Sequence, residues 1–284
     1  MEEEESADRA GLSYGSHRCR GQARKGVHAV AHVIAFANQK GGVAKTTSAL
    51  NVGAALREFG HRILGVDMDP QSNLTMCLGI DPEQVAVSMY EVLVGTAAIE
   101  DVITEAEIDV AVGSIDLAGA ELALSAQIGR ERALQRGLRP VDERYDFILI
   151  DTPPSLGLLT INALTAAQSV IVPVQCEYLS LRGLAQLERT LEMIREDLNP
   201  DVTIRGILPT MFDARTVHGQ EAVAVLKENF GPLVFSTVVR KTIRFAEAPV
   251  QGCSILKYDG GGPGAEAYRA VAREVLNGKA RQHA

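Results

Sequence analysis

The chain has 284 residues, 46% of them hydrophobic, and its 28 Lys and Arg against 36 Asp and Glu give a formal net charge of −8. This length and apolar content allow a sizeable core, and because α/β folds often exceed the usual domain size we expect one large domain. The acidic balance argues against a protein that coats nucleic acid with its whole surface, so any DNA contact is expected from a local basic patch. No apolar run is as long as a membrane span, and the acidic N-terminus is unlike a signal peptide, so the sequence predicts a soluble, cytoplasmic protein.

Residues 1–28 are predicted to be a disordered extension, and residues 29–284 a single domain. The extension holds few apolar residues and begins with an acidic block, the four glutamates at 2–5, followed by a basic block. Such a composition does not bury enough surface to offset the conformational entropy of the chain. The alternative is that the basic block is an arm for DNA or for a partner.

From His32 onward, strand and helix signals alternate. The predicted strands are residues 33–37, 63–66, 145–150, 169–174, 202–208 and a short piece at 233–235. The predicted helices are one that begins near Lys45 and stops at Gly60, one at 118–138, and three near 180–196, 215–229 and 264–276. Such continuously apolar strands, separated by helices, indicate an α/β fold with a doubly wound, mostly parallel sheet and helices on both faces. Right-handed crossovers would place the carboxyl ends of the strands, and a ligand, along one edge.

A glycine pair flanked by lysines lies between the first predicted strand and the first predicted helix. The stretch reads Lys40, Gly41, Gly42, Val43, Ala44, Lys45, Thr46 and Thr47. Glycine lets the backbone approach a phosphate chain closely, and the N–H groups of such a loop and of the following helix bind anions. We predict that Lys45 reaches the outer phosphates and that the Thr46 hydroxyl binds Mg²⁺. Gln39 and Ala44 stand where the standard P-loop has glycine, so the loop is a variant with Lys40 as an additional cation.

Three aspartates follow apolar strands. Asp67 and Asp69 come after the second predicted strand, and Asp151 comes after the third. Because the carboxyl ends of parallel strands gather beside the phosphate loop, we predict that Asp67 and Asp151 support the Mg²⁺ shell and that Asp69 orients the attacking water. The alternative is that Asp69, which precedes Pro70, and Asp151 are N-caps of the helices that follow.

These motifs and four further stretches resemble the deviant Walker A ATPases, and within them the ParA/Soj chromosome-partitioning proteins. The further stretches are 116–121 (Asp-Leu-Ala-Gly-Ala-Glu), 172–177 (Val-Pro-Val-Gln-Cys-Glu), 211–216 (Met-Phe-Asp-Ala-Arg-Thr) and 244–249 (Arg-Phe-Ala-Glu-Ala-Pro). The resemblance covers residues 30–276 and leaves the N-terminal segment outside.

The resemblance implies an ATP-driven switch that works as a homodimer. In this family two subunits close around two ATP molecules, the lysine that matches Lys40 reaches the partner's phosphates, and the residue that matches Asp69 supports hydrolysis. The ATP-bound dimer binds DNA without sequence preference, and a ParB or Spo0J-like partner stimulates hydrolysis and releases the DNA. A cytoplasmic, nucleoid-associated protein without stable membrane association is therefore expected.

The resemblance also places the DNA contacts. They are expected from Arg215 and Arg244, with Arg240 and Lys241 as weaker neighbours. Phosphate contacts of this kind weaken steeply as salt is raised.

Adenine recognition is expected from the segment that follows the strand at 202–208, with Pro209 and Met211 as its members, and Pro249 is a second candidate. The sequence departs from the family pattern at two places. Ala44 replaces the glycine of many members, and because alanine is small we expect ATP binding to survive. Residues 260–264 read Gly-Gly-Gly-Pro-Gly where a more polar run is expected.

Three alternatives stay open from the sequence. A MinD-like membrane-associated regulator would need a basic amphipathic helix at the C-terminus, where this sequence is short and polar. A metabolic or redox enzyme on the same scaffold is the second, such as a nitrogenase-type iron protein or an ATP-dependent ligase. The iron protein would need a cysteine pair for a bridging cluster, whereas Cys19, Cys77, Cys176 and Cys253 are scattered. The third keeps the mechanism but moves plasmids, chemoreceptor arrays or microcompartments.

Overall fold

The computed structural model of the chain describes residues 30–176 and 181–278. The predicted disorder of residues 1–28 lies outside these ranges, as do residues 279–284 at the other end.

Within the described residues, seven strands form one sheet. They are β1 (His32–Phe36), β2 (Ile63–Asp67), β3 (Ile103–Thr104), β4 (Asp109–Ala111), β5 (Phe147–Asp151), β6 (Ser169–Gln175) and β7 (Thr203–Thr210). Their spatial order is β3-β4-β2-β5-β1-β6-β7. Every neighbouring pair is parallel except β3 with β4. The sheet is therefore mostly parallel, as predicted.

The described residues also form eleven α-helices. They are α1 (Lys45–Glu58), α2 (Asn73–Cys77), α3 (Met89–Val94), α4 (Leu117–Leu124), α5 (Ala133–Leu138), α6 (Leu158–Ala166), α7 (Leu181–Asp197), α8 (Val217–Phe230), α9 (Arg244–Val250), α10 (Ile255–Tyr258) and α11 (Pro263–Asn277). Helix α1 packs against α2, α10 and α11, and helix α6 packs against α4, α5 and α7. Helices thus cover both faces of the sheet, and the predicted doubly wound α/β fold is confirmed.

The central strands are apolar on both faces. All five residues of β2 are buried, and so are all but one residue each of β1, β5 and β6. This burial is what a parallel sheet between two helical layers requires. On one face, the hydroxyl of the buried Tyr268 in α11 lies 3.2 Å from that of Ser48 in α1. That contact helps to fix α1, and with it the loop that precedes it, against the sheet.

The connections reverse direction at β1. The chain leaves β1 through α1 and reaches β2 on one side, whereas it leaves β5 through α6 and reaches β6 on the other side of β1. A crevice forms at the carboxyl ends of the strands where such a reversal occurs, and this is where open α/β sheets bind ligands. The loop after β1 lies at this point.

The predicted helix at 118–138 is wrong in its middle. It is two helices, α4 and α5, separated by Gly129, which adopts a left-handed conformation with φ 68°. The side chain of Asn162 in α6 stabilises the break, because its Oδ1 accepts from the N–H of Leu134 at 3.0 Å and its Nδ2 donates to the carbonyl of Arg130 at 3.0 Å. Hydrogen bonds from a residue distant in sequence thus interrupt the single helix that the apolar pattern predicts.

The predicted strand at 233–235 is also wrong. Gly231–Leu233 form a 3₁₀ turn, and only Val234 makes an isolated bridge, to Ile207 of β7. Pro232 lies inside this turn and has no N–H to donate to a ladder, so a regular strand does not start there.

Candidate nucleotide-binding site

The loop between β1 and α1 leaves the amino end of α1 open. Gly42 and Ala44 have φ of 70° and 67°, which is the left-handed region. No side chain caps α1, and its first turn carries no acidic residue. The unpaired N–H groups and the positive end of the helix dipole are thus left for an anion. The geometry fits the phosphate loop that the sequence predicts.

Lys45 begins α1 and points into the site. Its side chain is buried, and its Nζ lies 3.5 Å from the carbonyl oxygen of Lys40. Burial lowers the pKa of Lys45, while the carboxylates of Asp151 and Asp69 oppose that shift. An ammonium in the field of two carboxylates and near an open helix end is well placed to bind a phosphate oxygen.

Asp67 and Asp151 are neighbours in the parallel register of β2 and β5, and both are completely buried. Asp67 is fully engaged: one carboxylate oxygen accepts from the N–H and the hydroxyl of Thr75, both at 2.8 Å, and the other accepts from the N–H of Asp69 at 3.3 Å. Burial raises the pKa of Asp67 to about 6. The hydrogen bonds make Asp67 a support for the turn between β2 and α2, and its place in the metal shell stays a prediction.

Asp151 differs from Asp67 in its hydrogen bonds. Neither of its carboxylate oxygens has a hydrogen-bond partner among the described residues. Burial, followed by the charge of Asp67, raises the pKa of Asp151 well above its usual range, and the nearby Thr46 and Lys45 oppose that shift. Asp151 caps no helix, because α6 begins seven residues later, at Leu158. A bare carboxylate beside the Thr46 hydroxyl offers the oxygen ligands that a hydrated Mg²⁺ takes, and the residues present fit that ion.

Asp69 lies at the mouth of the same edge and is 7% exposed. Its Oδ1 accepts from the N–H of Gln71 at 3.0 Å, which closes an Asx turn. The N-cap of α2 is Ser72, so the alternative that Asp69 caps the next helix is wrong.

Lys40 is held on its own side of the site. Its N–H donates to Oδ1 of Asn38 at 3.0 Å, and its ammonium donates to Oε1 of Gln175 at 2.9 Å. The structure therefore brings both lysines of the loop to the same edge, with Lys40 turned toward β6.

The predicted adenine segment lies beside the phosphate loop. Pro209 is buried at the end of β7, and Met211 follows in a left-handed conformation with φ 52°. Between them, the hydroxyl of Thr210 donates to the carbonyl of Val43 at 3.0 Å. The segment and the loop are thus joined directly.

The two arginines predicted to bind DNA are both exposed and both paired with acidic neighbours. Arg215 forms a bidentate pair with Asp213, with N–O distances of 2.9 and 2.6 Å. Arg244 donates to Glu247 at 2.8 Å. An isolated bridge between Phe212 and Arg240 places the segment with Arg240 beside the turn that carries Arg215.

Three supporting residues were not predicted from the sequence, and a fourth, Thr210, lies in the predicted adenine segment without its loop contact having been predicted. The three are Asn38, Thr75 and Gln175. Each is a neutral polar side chain whose site contact depends on the tertiary fold. The one signal available was position, since Asn38 and Gln175 stand at or just beyond strand ends.

Comparison with known proteins identifies the family. A family model described as an AAA domain (AAA_31) matches residues 31–204. The chain is 48% identical over 246 residues to the sporulation initiation inhibitor protein Soj of Bacillus subtilis. The aligned region covers 86% of this chain and 97% of Soj. It is 42% identical over 259 residues to the chromosome partitioning protein ParA of Myxococcus xanthus, and the aligned region covers 90% of this chain and 92% of that ParA.

Solved structures of the same fold carry nucleotides. The cobyrinic acid a,c-diamide synthase of Mycobacterium smegmatis, with a bound ATP analogue and magnesium, has a TM-score of 0.80 at 40% identity and covers 89% of this chain and 98% of that one. The septum site-determining protein MinD of Pyrococcus horikoshii, complexed with Mg-ADP, has a TM-score of 0.70 at 25% identity and covers 86% and 96%.

The fold, the phosphate loop and these matches together define the class, which is that of the P-loop ATPases with a deviant Walker A loop. Within that class the chain belongs to the ParA/Soj family, and the resemblance seen in the sequence is confirmed. In the part of the chain that the structure describes, no helix is both long and apolar enough to cross a bilayer.

Proposed function

We propose that the protein is an ATP-dependent dimerising switch that binds DNA non-specifically in its ATP state and hydrolyses ATP to drive chromosome or plasmid partitioning with a ParB-type partner. One ATPase domain over residues 29–284 would carry out the cycle. The observation that carries the proposal is the bare, buried carboxylate of Asp151 beside Lys45 and the open amino end of α1.

ATP and Mg²⁺ are the ligands that this site suits. The N–H groups of the loop and of the first turn of α1 would bind the phosphates with Lys45, and Thr46 with Asp151 would hold Mg²⁺ through its water shell. Mg²⁺ would neutralise the charge of the transferred phosphoryl group. Pro209 and Met211 would line the adenine side.

Hydrolysis needs a positioned water more than it needs a nucleophile from the protein. Asp69 would orient that water, because its carboxylate lies at the mouth of the site and the Asx turn holds it in place. Lys40 would reach the phosphates of the partner subunit, which links ATP occupancy to closure of the homodimer.

DNA binding would follow dimer closure because two weak basic patches are joined into one. Arg215 and Arg244 lie on exposed segments, with side chains 89% and 52% exposed, and would give phosphate contacts. The names of the Soj and ParA relatives support partitioning as the process and a ParB-type protein as the stimulating partner, although a related cargo would use the same mechanism.

The test is nucleotide-dependent DNA binding, measured by fluorescence anisotropy of a labelled duplex with and without a candidate ParB-type protein. We expect binding with Mg-ATP, none with ADP, and faster release when the partner is added. Binding that is equal with ATP and ADP would contradict the proposal.

A ligase is the second candidate, because a structure that is 40% identical to this chain is named as an a,c-diamide synthase. An enzyme of that kind would consume ATP only when cobyrinic acid and a source of the amide nitrogen are supplied. If ATP turnover depends on those substrates and not on DNA or a partner, the ligase is the correct function. A MinD-like role would instead make the protein sediment with liposomes in the presence of ATP.

A further inference from the structure

The contact between Lys40 and Gln175 joins two points that are 135 positions apart in the chain. Gln175 is the last residue of β6, and its Oε1 accepts from the ammonium of Lys40 at 2.9 Å. Nothing in the proposed hydrolysis step uses Gln175. Its contact is with Lys40, the loop lysine that reaches the partner subunit's phosphates in the proposed function.

A second contact turns the backbone of the same lysine toward β6. The buried Asn38 donates from Nδ2 to the carbonyl of Pro173 at 2.7 Å, and its Oδ1 accepts from the N–H of Lys40 at 3.0 Å. Pro173 and Gln175 are two positions apart on β6, so they occupy equivalent positions of the pleat. Both the main chain and the side chain of Lys40 are thus tied to β6 of their own subunit.

The acceptor itself is on a rigid element. Gln175 is paired in register with Thr210 of β7, and the N–H of Cys176 donates to the carbonyl of Thr210 at 3.0 Å. Thr210 in turn binds the carbonyl of Val43 in the phosphate loop. The same cross-strand pair therefore contacts the loop twice, once at Lys40 and once at Val43.

We propose that Gln175 is a positioning residue that retains Lys40 on its own subunit until the dimer forms. The inference rests on the proposed function, in which Lys40 acts across the interface. A charge-assisted hydrogen bond to an ammonium is stronger than a neutral one, so the lysine gives up a favourable contact when it crosses to the partner's phosphates. Retention raises the concentration at which ATP-bound chains pair, and each subunit contributes one such contact.

The test compares wild type with Gln175→Met, which keeps the length of the side chain and removes the acceptor. Sedimentation velocity with a non-hydrolysable ATP analogue and Mg²⁺ gives the dimer dissociation constant. We expect Gln175→Met to lower that constant by about a hundredfold, because each of the two subunits loses one charge-assisted hydrogen bond that is worth about tenfold. Gln168→Ala is the matched control, since Gln168 accepts from the N–H of Val33 at 2.6 Å just before β6, far from the loop. Its dimer constant should stay as in wild type.

A second measurement examines the contact without any dimer. Urea unfolding of the nucleotide-free chain is measured for wild type, Gln175→Met, Lys40→Met and the double variant, and we expect the two substitutions to be non-additive. If the two substitutions are additive, this inference is overturned and the proposed function is not. The same holds if wild type dimerises and Gln175→Met has the same dimer dissociation constant. A wild type that stays monomeric with the ATP analogue would overturn the proposed function and this inference with it.

Discussion

Asp67 and Asp151 are direct neighbours across β2 and β5, yet only Asp67 has hydrogen-bond partners among the described residues. Two identical side chains at adjacent strand ends therefore differ in their contacts. Asp67 supports the turn that leads to Asp69, whereas both carboxylate oxygens of Asp151 are buried without such a partner among the described residues. This division could not be read from the strand-end pattern, which the two residues share.

Asp67→Ala should lower the stability of the chain. It removes the acceptor of the Thr75 N–H and leaves that buried donor unpaired, so we expect a loss of about 2 kcal/mol in the free energy of unfolding. Urea denaturation of the nucleotide-free protein measures it. A variant as stable as wild type would show that these hydrogen bonds do not support the fold.

Asp151→Asn should act on ligand binding and not on folding. The substitution removes a buried charge without hydrogen-bond partners among the described residues, so the nucleotide-free chain should be at least as stable as wild type. The increase in ATP affinity that Mg²⁺ gives should be lost. Isothermal titration of ATP with and without Mg²⁺ checks this, and an unchanged Mg²⁺ effect would remove Asp151 from the metal shell.

Lys45→Ala should abolish nucleotide binding, because the buried ammonium faces the open end of α1. Lys40→Ala is the matched variant and should still bind ATP, since the proposed target of Lys40 is in the partner subunit. Fluorescence titration with a labelled ATP at concentrations below dimerisation separates the two. If both variants lose ATP equally, Lys40 serves its own subunit.

Ala44→Gly should raise the stability of the phosphate loop. Ala44 has φ 67° and ψ 38°, a conformation that costs a residue with a Cβ about 1 kcal/mol. The gain is reduced by the greater freedom of glycine in the unfolded chain, so we expect a net rise of up to about 0.5 kcal/mol. Gly60→Ala is the reverse control, because Gly60 has φ 91° and open space around it, and it should lose stability. A less stable Ala44→Gly would show that the left-handed conformation is not strained.

Replacing Arg215 and Arg244 together by Ala should leave dimerisation intact and remove DNA binding. Asp213→Asn should have the opposite effect on DNA, because the carboxylate of Asp213 now binds the guanidinium that DNA phosphates would bind. Titrations at several salt concentrations measure both, and the slope of affinity against salt should become steeper in Asp213→Asn as one more phosphate contact forms. A double variant that still binds DNA at low salt would place the patch elsewhere.

Much of the fold could be predicted from residue type and order. The strands of the sheet centre are mostly apolar and rich in Val, Ile and Leu, and the loop before α1 combines glycines and lysines in a pattern that is much rarer than an ordinary glycine turn. The break at Gly129 could not be predicted, because the hydrogen bonds that stabilise it come from Asn162, which is distant in sequence. The strands β3 and β4 at one side of the sheet are only two and three residues long and carry too little pattern to predict.

The candidate site likewise has a part that could be predicted from the sequence and a part that could not. Lys45 and Asp151 lie at a helix start and at a strand end, as the sequence pattern predicts, and their roles toward a nucleotide stay predictions. The supporting contacts of Thr75, Thr210 and Gln175 depend on which strands become neighbours, and strand order is a property of the whole chain. Single residues of neutral polar type give no local signal of such a role.

Sedimentation velocity of wild type and Lys40→Ala, each with Mg-ATP and with Mg-ADP, tests the central claim most directly. The claim predicts a dimer of wild type with ATP, a monomer of wild type with ADP, and a Lys40→Ala chain that stays monomeric with both nucleotides although it binds ATP. A wild type whose mass is the same with ATP and ADP, or a Lys40→Ala chain that dimerises with ATP as wild type does, would contradict it.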